Sequence, residues 1–307
     1  MMLIYLSGVE RIPLLEVKAL VDAYNDKIMG TRGRIVLVER GEFVPRLAFS
    51  KMAGEVICKT TRELDLPDYF KVDHTGFAVE TWGVKGKESL KMKIRFADKI
   101  KGKPNLSNPK EVFDLVIDGD KVWISRRVWE NDPKEFMKRD PKARPVFNPT
   151  SLKPKLARLL VNLSGIKPGE RLLDPFCGVG GILIEASLMG IDATGIEIDK
   201  RWADGARKNL DYYRLKANVI NADFLEWEDG RFDAIVTDLP YGRSSKLKGD
   251  METFYKNAFK KMEKLSKKLV VMGPMDLSSL LDGWELDEVV KMRVHKSLDR
   301  WIHVCSR

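Results

Sequence analysis

A group of glycines and acids in the second half of this 307-residue sequence could bind a nucleotide-like ligand. The run from Asp174 to Gly181, DPFCGVGG, follows one predicted strand and opens a predicted helix. Glycines at such a turn let the backbone approach a ligand closely. Glu197 ends the next strand, where a carboxylate can accept hydrogen bonds from both ribose hydroxyls. Asp223 ends the third strand and is followed by Phe224, an acid and a ring suited to an adenine.

These residues favour an adenosine ligand that is neutral or cationic. No Gly-Lys-Ser/Thr follows Gly178 and Gly180, and three acids would repel a triphosphate. S-adenosylmethionine is such a ligand, and Asp174 suits its ammonium group. Cys177 lies inside the glycine loop, so we interpret it as a small packing residue of the cofactor loop rather than a nucleophile. The alternative for each acid, taken singly, is a helix cap or a solvated loop carboxylate.

A second motif, Asp238-Leu239-Pro240-Tyr241-Gly242, follows the fourth predicted strand. It resembles the Asp/Asn-Pro-Pro-Tyr/Phe hallmark of the class I amino-methyltransferases, with Leu239 in place of the first proline. An exocyclic amine on a purine is a poor nucleophile because its lone pair is delocalised. Asp238 and the Leu239 carbonyl could accept its two N–H bonds, and Tyr241 could stack on a flipped base. The alternative is an ordinary Pro-Tyr-Gly turn.

Alternating strand and helix patterns must position both motifs. This alternation predicts a parallel sheet covered on both faces, and the last forty residues predict an antiparallel hairpin. The predicted strands are Arg171–Phe176, Ala193–Ile198, Asn218–Asp223, Asp233–Asp238, Lys268–Met272, Glu285–Val294 and Arg300–Val304. The predicted helices are Lys153–Leu163, Gly181–Met189, Arg201–Leu215 and Met251–Ser266.

The first half follows a different pattern. Residues 2–40 predict strand, helix and strand, and Pro45–Cys58 predicts a connecting helix. Residues 70–130 predict a strand, a helix ending near Gly102 and a hairpin around residues 118–121. Leu90 and Ile94 lie at helical spacing, although residues 90–96 also alternate as in a strand. Residues 131–150 contain four prolines and alternating charges, which is typical of a linker.

Net charge and composition limit the partners. The formal charge is +9 with a pI of about 9.3, and the first 150 residues contribute +6 of it. A polyanionic partner is therefore favoured, although a merely soluble surface explains the charge equally well. The longest apolar runs are too short to span a bilayer and the amino terminus is a poor signal peptide, so we expect a cytoplasmic protein without a membrane partner.

Cysteines and histidines are few. Three cysteines and three scattered histidines form neither a disulfide framework nor a metal-ligand pattern, so no metal is predicted. The sequence contains no glutamine, which together with abundant Lys and Glu is typical of thermophile proteins.

Taken together, DPFCGVGGILIEA, GIEID, NADF and DLPYGRS resemble the archaeal tRNA (guanine-N2) methyltransferases that act on guanosine 10. FAVETWG and ADKIKGKPNLSNPKEVFDLVIDG resemble the THUMP module of that family, and ARPVFNPTSLKPKLARLLVNL resembles its entry to the catalytic domain. The resemblance implies a ferredoxin-like domain (1–57), a THUMP-like RNA-binding domain (58–130), a linker (131–150) and a Rossmann-like class I methyltransferase domain (151–307).

The resemblance also implies the site residues and the substrate. Asp174, Gly178, Glu197 and Asp223 would belong to the S-adenosylmethionine site, and Asp238, Pro240 and Tyr241 to the target-base site. The substrate would be tRNA and the product mono- or dimethylated guanosine.

Basic residues in this scheme are candidate phosphate contacts. Those in the THUMP-like unit and after the catalytic motif are Lys99, Lys101, Lys103, Arg126, Arg127 and Arg243. His295 and Arg300 are further candidates near the terminal hairpin, and Phe147 and Asn148 could line the cofactor pocket.

Three alternatives remain open at the level of sequence. They are methylation of another tRNA guanine-N2, an RNA-binding THUMP protein with an idle methyltransferase domain, and amino methylation of DNA or of a protein glutamine. The sequence predicts no oligomeric state, and a monomer is compatible with it.

Overall fold

The computed structural model describes residues 1–8, 11–228, 230–241, 251–295 and 298–307, with side chains of 294, 295 and 298 left out. The chain forms two compact units. The front unit contains Met1–Leu14, Tyr24–Pro45 and Phe49–Asn131, and the back unit contains Leu15–Ala23, Arg46–Ala48 and Asp132–Arg307. Helix α1 (Arg11–Ala23) therefore contributes residues to both units.

The front unit is built on one seven-stranded sheet in the order β2-β3-β1-β4-β7-β6-β5. Neighbouring strands pair antiparallel, except for the parallel pair β5 and β6. The strands are β1 (Met2–Leu6), β2 (Ile28–Arg32), β3 (Ile35–Val38), β4 (Ser50–Thr61), β5 (Phe77–Trp82), β6 (Glu111–Asp118) and β7 (Lys121–Glu130).

Helix α2 (Gly86–Ala97) confirms the helix predicted before Gly102. Its buried residues are Met92 and Phe96, which join a core with Phe70, Phe77 and Phe113. Leu90 and Ile94, which suggested the helix by their spacing, are instead exposed. The helical period was therefore right, but the apolar stripe that faces the sheet is the other one.

The helix predicted at Pro45–Cys58 is wrong, because residues 50–61 form strand β4. Met52 and Val56 are spaced as on a helix, but β4 pairs with β1 on one side and with β7 on the other. Those two ladders satisfy the backbone of a central strand, so tertiary pairing overrides the local pattern. The domain boundary expected at residue 57 falls inside this strand.

The front sheet curls strongly enough to bring distant strands together. Tyr5 on β1 and Trp82 on β5 lie with ring centroids 5.3 Å apart, although β4, β7 and β6 separate their strands in the sheet order. Arg32 at the end of β2 forms an ion pair with Asp118 at the end of β6. The concave face is therefore closed, and it buries Leu3, Met52 and other apolar residues.

The back unit is an α/β domain with the parallel strands and the terminal antiparallel hairpin expected from the sequence. Its sheet has the order β10-β9-β8-β11-β12-β14-β13, parallel from β10 to β12 and antiparallel from β12 to β13. The strands are β8 (Arg171–Asp174), β9 (Asp192–Glu197), β10 (Asn218–Asn221), β11 (Ala234–Asp238), β12 (Lys268–Gly273), β13 (Glu285–His295) and β14 (Leu298–Ser306). The helices are α3 (Pro133–Met137), α4 (Pro154–Leu163), α5 (Gly181–Leu188), α6 (Lys200–Tyr212) and α7 (Met251–Leu265).

The proline-rich segment at residues 131–150 lies within the back unit from Asp132 onward. The Asp132 carboxylate accepts a hydrogen bond from the Lys134 amide at the start of α3. Arg139 is buried and its Nε donates to Glu185 Oε1 of α5 at 2.7 Å. Arg158 of α4 donates to the other oxygen of the same carboxylate at 2.9 Å. The prolines here shape packed turns.

Among the described helices, none combines the length and the apolar character needed to cross a lipid bilayer.

Candidate active site

Strands β8 and β11 are adjacent in the sheet, while the chain leaves β8 towards β9 on the other side. This reversal of strand order is the place where open α/β sheets bind ligands, beyond the carboxyl ends of the strands. A cavity of about 550 Å³ lies there, within the size range of small-molecule sites. Asp174, Glu197, Asp223 and Asp238 all line it, so the structure brings the four predicted acids together.

Asp174 is buried at the end of β8. Its Oδ1 accepts hydrogen bonds from the Thr237 hydroxyl at 2.7 Å and from the Phe176 amide at 3.2 Å. Burial raises the pKa of Asp174 to about 7, and the nearby Asp238 and Glu197 carboxylates add to the increase. A cation placed in the cavity would therefore stabilise the ionised form of this carboxyl.

Glu197 is held by backbone donors at the end of β9. Its Oε2 accepts from the Gly178 amide at 3.0 Å, and its Oε1 accepts from the Asp199 amide at 2.8 Å. Burial raises the pKa of Glu197, and these hydrogen bonds oppose the increase. Gly178 has a φ of +52°, a left-handed conformation that favours glycine. The glycine loop and Glu197 thus fix each other across the cavity floor.

Gly180 caps helix α5 with a φ of +83°, and a Cβ there would lie 3.3 Å from that of Ala206. Cys177 is buried, and a Cβ at Gly195 would come within 2.7 Å of its Sγ. Burial raises the pKa of the Cys177 thiol. The thiol is therefore a packed, protonated group, in line with its interpretation as a packing residue.

Asp223 and Phe224 lie beyond the end of β10. Asp223 Oδ1 accepts from the Leu225 amide at 2.8 Å, which leaves the second oxygen for a ligand donor. Phe224 is 2% exposed and packs edge-on against Phe176 with centroids 5.5 Å apart. It lines the cavity from the core rather than covering a ligand from outside.

Several lining residues escaped the sequence analysis. The apolar and aromatic ones among them include Phe176, Ile198, Trp202 and Phe254. Ile198 directly follows Glu197, and its position next to a predicted site acid is a signal that the sequence offers. Asn148 lines the cavity as expected, whereas Phe147 is not among the lining residues and is 45% exposed.

Asp238 ends β11, and both of its oxygens have partners. Oδ1 accepts from the Tyr241 hydroxyl at 2.5 Å, and Oδ2 accepts from the Arg300 Nη1 at 2.9 Å. Burial raises the pKa of Asp238 to about 6, while Arg300 and the Tyr241 hydrogen bond oppose the increase. The carboxyl is therefore mostly ionised at neutral pH and positioned to accept hydrogen bonds.

The rest of the motif is anchored to neighbouring elements. The Leu239 amide donates to the Met272 carbonyl at 2.9 Å, which extends the β11–β12 ladder by one residue. The Pro240 carbonyl accepts from the Tyr255 hydroxyl of α7 at 2.8 Å. Leu239 itself is fully buried. The missing proline is thus replaced by an apolar side chain that packs into the core, while the backbone of the motif stays tied to the sheet.

Tyr241 and Arg300 form an arrangement that the sequence analysis did not anticipate. The Arg300 guanidinium carbon lies 5.1 Å from the Tyr241 ring centroid, and its side chain is 11% exposed. Tyr241 was expected to present its ring to a base, and Arg300 to contact RNA. In the structure both side chains hold Asp238.

The candidate phosphate contacts of the front unit differ from one another. The Lys99 ammonium donates to the Glu63 and Leu64 carbonyls, Arg126 pairs with Glu55, and Arg127 forms a buried pair with Asp114. The remaining two, Lys101 and Lys103, are exposed. Arg243 lies outside the described residues, as does the side chain of His295.

Known protein families match this chain clearly. A family model described as the RMKL-like methyltransferase domain matches residues 141–302, more than half of the chain. A second model, described as a DNA methylase, matches residues 71–208.

Two archaeal relatives illustrate the sequence similarity. The tRNA (guanine(10)-N2)-dimethyltransferase of Methanothermobacter thermautotrophicus is 40% identical over 214 residues, which are 67% of this chain and 64% of that protein. The probable tRNA (guanine(10)-N2)-dimethyltransferase of Methanothermococcus thermolithotrophicus is 39% identical over 163 residues, which are 50% of this chain and 98% of that protein. The chain thus spans less than two thirds of the first relative's length.

Solved structures agree in fold. TrmN from Thermus thermophilus matches 100% of this chain and 99% of its own, with a TM-score of 0.56 and 18% identity. A protein crystallised with SAH matches 99% of this chain and 97% of its own, with a TM-score of 0.54 and 14% identity. By the match of the family model over more than half of its length, the chain belongs to the RMKL-like methyltransferase family, and it is similar to archaeal proteins named tRNA (guanine(10)-N2)-dimethyltransferases.

Proposed function

We propose that this chain transfers the methyl group of S-adenosylmethionine to the exocyclic N2 amine of guanosine 10 in tRNA, giving mono- or dimethylguanosine. The observation that carries the proposal is the partly buried Asp238 carboxylate, which ends β11 at the rim of the acid-lined cavity. The names of the archaeal relatives support the choice of tRNA and of the nucleotide.

The cavity suits the methyl donor. The ammonium and sulfonium groups of S-adenosylmethionine are positive, and Asp174 is a buried carboxyl whose pKa of about 7 shows how poorly its charge is compensated. Glu197 would accept from the ribose hydroxyls, and Asp223 from the adenine amine. When bound, the cofactor supplies an electrophilic methyl group on its sulfonium.

Asp238 provides the acceptor for the target amine. A hydrogen bond from the amine to this carboxylate localises the nitrogen lone pair, and the carboxylate then receives the proton that the methylated amine releases. Positioning of the nitrogen in line with the methyl group supplies most of the remaining catalysis, and no metal is needed. Tyr241 has to release Oδ1 before the amine can bind there, and its ring can then stack on the base.

We assign tRNA binding to the front unit. Lys101 and Lys103 are exposed and are the preferred phosphate contacts, whereas Arg127 is committed to a buried ion pair. The division into ferredoxin-like and THUMP-like parts, a cytoplasmic location and the single-chain form belong to the same proposal. Methylation of guanosine 10 is itself part of the proposal, because the chain matches only 64% of the length of the Methanothermobacter relative.

Transfer of labelled methyl groups tests the proposal. The protein is incubated with a tRNA transcript, with the same transcript carrying adenosine at position 10, with duplex DNA and with a protein mixture. We expect label in the first substrate alone, mapped by mass spectrometry to guanosine 10. Label in DNA would favour the second candidate, amino methylation of DNA, to which the match with the DNA methylase model points. Label at another guanosine would refute the assigned position.

A further inference from the structure

We infer that Arg300 is a positioning residue for the methyl-accepting amine, which holds Asp238 as an oriented carboxylate with one oxygen left for the substrate. This inference rests on the proposed function and adds a residue of the terminal hairpin to the site. Sequence reasoning had placed Arg300 among possible RNA contacts.

The geometry gives the two oxygens of Asp238 different tasks. Oδ2 is bound to Arg300 Nη1 at 2.9 Å through an ion pair whose side chains are 11% and 15% exposed. Oδ1 is bound to a neutral hydroxyl, that of Tyr241. Both hydrogen bonds have an ionised acceptor, but only the one from Arg300 adds the attraction between opposite charges, so the incoming amine displaces the neutral hydroxyl and not the guanidinium.

The position of Arg300 in the fold makes this restraint rigid. Arg300 lies on β14, which pairs with β12 through residues such as Ile302 and Met272. Asp238 lies on β11, which pairs with β12 on its other edge. Both side chains are thus carried by one hydrogen-bonded sheet, and the carboxylate cannot rotate without breaking the ion pair.

Arg300 also touches the stacking residue. Its guanidinium lies over the Tyr241 ring at 5.1 Å, a cation–π distance. Its Nε is buried without a hydrogen-bond partner among the described residues, so the guanidinium retains a donor. One side chain therefore contacts both groups that meet the base in the proposed reaction.

The charge of Arg300 also keeps Asp238 ionised. Burial raises the Asp238 pKa, whereas Arg300 and the Tyr241 hydroxyl lower it. From neighbouring elements, Asp174 on β8 and Tyr255 on α7 feel the charge of Asp238 as well. Without Arg300, only the Tyr241 hydrogen bond opposes the effect of burial on the Asp238 pKa, and protonated Asp238 can no longer accept the amine proton.

The test compares Arg300→Met, which keeps the side-chain length, with Arg300→Lys, which keeps the charge. The first readout is a carboxyl ¹³C NMR titration of the full chain, with Asp238 assigned by the signal lost in Asp238→Asn. We expect the Asp238 midpoint to rise by about one pH unit or more in Arg300→Met and to return most of the way in Arg300→Lys. This readout requires no methyl transfer.

The second readout is the pH dependence of kcat on tRNA. We expect Arg300→Met to lose about ten- to a hundredfold of kcat at pH 7, with its acidic limb moved to higher pH and a smaller deficit at pH 9. Lys291→Met is the matched control, because Lys291 is a cation of the same hairpin that pairs with the exposed Asp299. It should leave both readouts unchanged.

Two results would overturn the inference. They are an unchanged Asp238 titration in Arg300→Met, and a loss of kcat that is equal at every pH. If the wild-type chain left guanosine N2 unmethylated, the proposed function would fail, and the NMR titration would still decide whether Arg300 holds Asp238.

Discussion

Each unit of this protein pairs an aspartate with a largely shielded arginine, and the two pairs differ in how completely the carboxylate is bound. In the front unit, Asp114 on β6 accepts from Arg127 Nε at 2.9 Å and Nη2 at 2.5 Å, and from Trp82 Nε1 at 2.7 Å. In the back unit, Asp238 receives one guanidinium hydrogen bond and one from a hydroxyl.

The difference separates a structural carboxylate from a chemical one. Asp114 is fully buried in the curled sheet, and the fork of Arg127 bridges both of its oxygens. Asp238 lines the cavity, and in the proposed reaction its hydroxyl partner is exchanged for the amine of the substrate. The presence of a buried Asp–Arg pair therefore says little about function until the partner of every oxygen is known.

The largest effect is expected for Asp238→Asn. The amide keeps the shape of the side chain but cannot take up a proton, so kcat for tRNA methylation should fall by a factor of about a thousand or more. Single-turnover methylation measures the rate, and SAH affinity is the control that should change little. The rate is measured on protein shown to be folded, because Arg300 loses its counter-charge in this variant. Retention of more than a tenth of the wild-type rate would show that Asp238, like Asp114, takes no direct part in methyl transfer.

The next effect is a loss of stability in Asp114→Asn. Its Arg127 would remain buried without a full counter-charge, so the free energy of unfolding should fall by about 3 kcal/mol. Urea denaturation measures the loss, and kcat of the folded protein should be unchanged. The double variant Asp114→Leu with Arg127→Met is the control, because removing both charges should restore much of the stability. A stable Asp114→Asn with low kcat would reverse the comparison.

A smaller effect is expected at Asp174, a buried carboxyl whose hydrogen bonds come from the Thr237 hydroxyl and the Phe176 amide rather than from an arginine. Its pKa is raised to about 7 in the unliganded protein, mainly by burial, and an ammonium group requires the ionised form. Affinity for S-adenosylmethionine should therefore rise by about tenfold per pH unit below pH 7 and level off above it.

The same raised pKa has the opposite effect on the stability of the unliganded protein. Because the folded state binds the proton more tightly than the unfolded state, the contribution of Asp174 to stability is lost as pH rises from about 4 towards 7.

Calorimetric titration from pH 5.5 to 8.5 measures the affinity for S-adenosylmethionine, and Asp174→Asn is the control, with weak binding and a flat profile. A wild-type affinity that ignored pH would contradict the assignment of Asp174 to the ammonium group.

The site was largely predictable because its acids end consecutive strands. Parallel strands bring their carboxyl ends to one edge, so the spacing of Asp174, Glu197, Asp223 and Asp238 predicts their convergence without knowledge of side-chain packing. The partners of those acids were less predictable. Arg300 reaches Asp238 across the antiparallel hairpin, and the register of β14 against β12 is not written in local periodicity.

The front unit was harder to predict for a related reason. Strand β4 lies between β1 and β7, and both partners are distant in sequence. Local spacing at Met52 and Val56 favoured a helix, whereas the long-range ladders decide the conformation. Similarly, the sequence around these cations does not reveal their partners. Lys99 donates to two backbone carbonyls, and Arg127 pairs with the buried Asp114.

The adjacency of β8 and β11 has a consequence for how this architecture can diversify. Neighbouring strands lie about 4.8 Å apart, so the pairing of β8 with β11 sets the distance between Asp174 and Asp238. The proposed reaction assigns Asp174 to the methyl donor and Asp238 to the amine that accepts the methyl group. That distance is fixed by the sheet and does not depend on the residues that recognise the substrate. A protein that exchanged its recognition unit for another would keep the same distance between methyl donor and acceptor, and would need to evolve only a new substrate-binding surface.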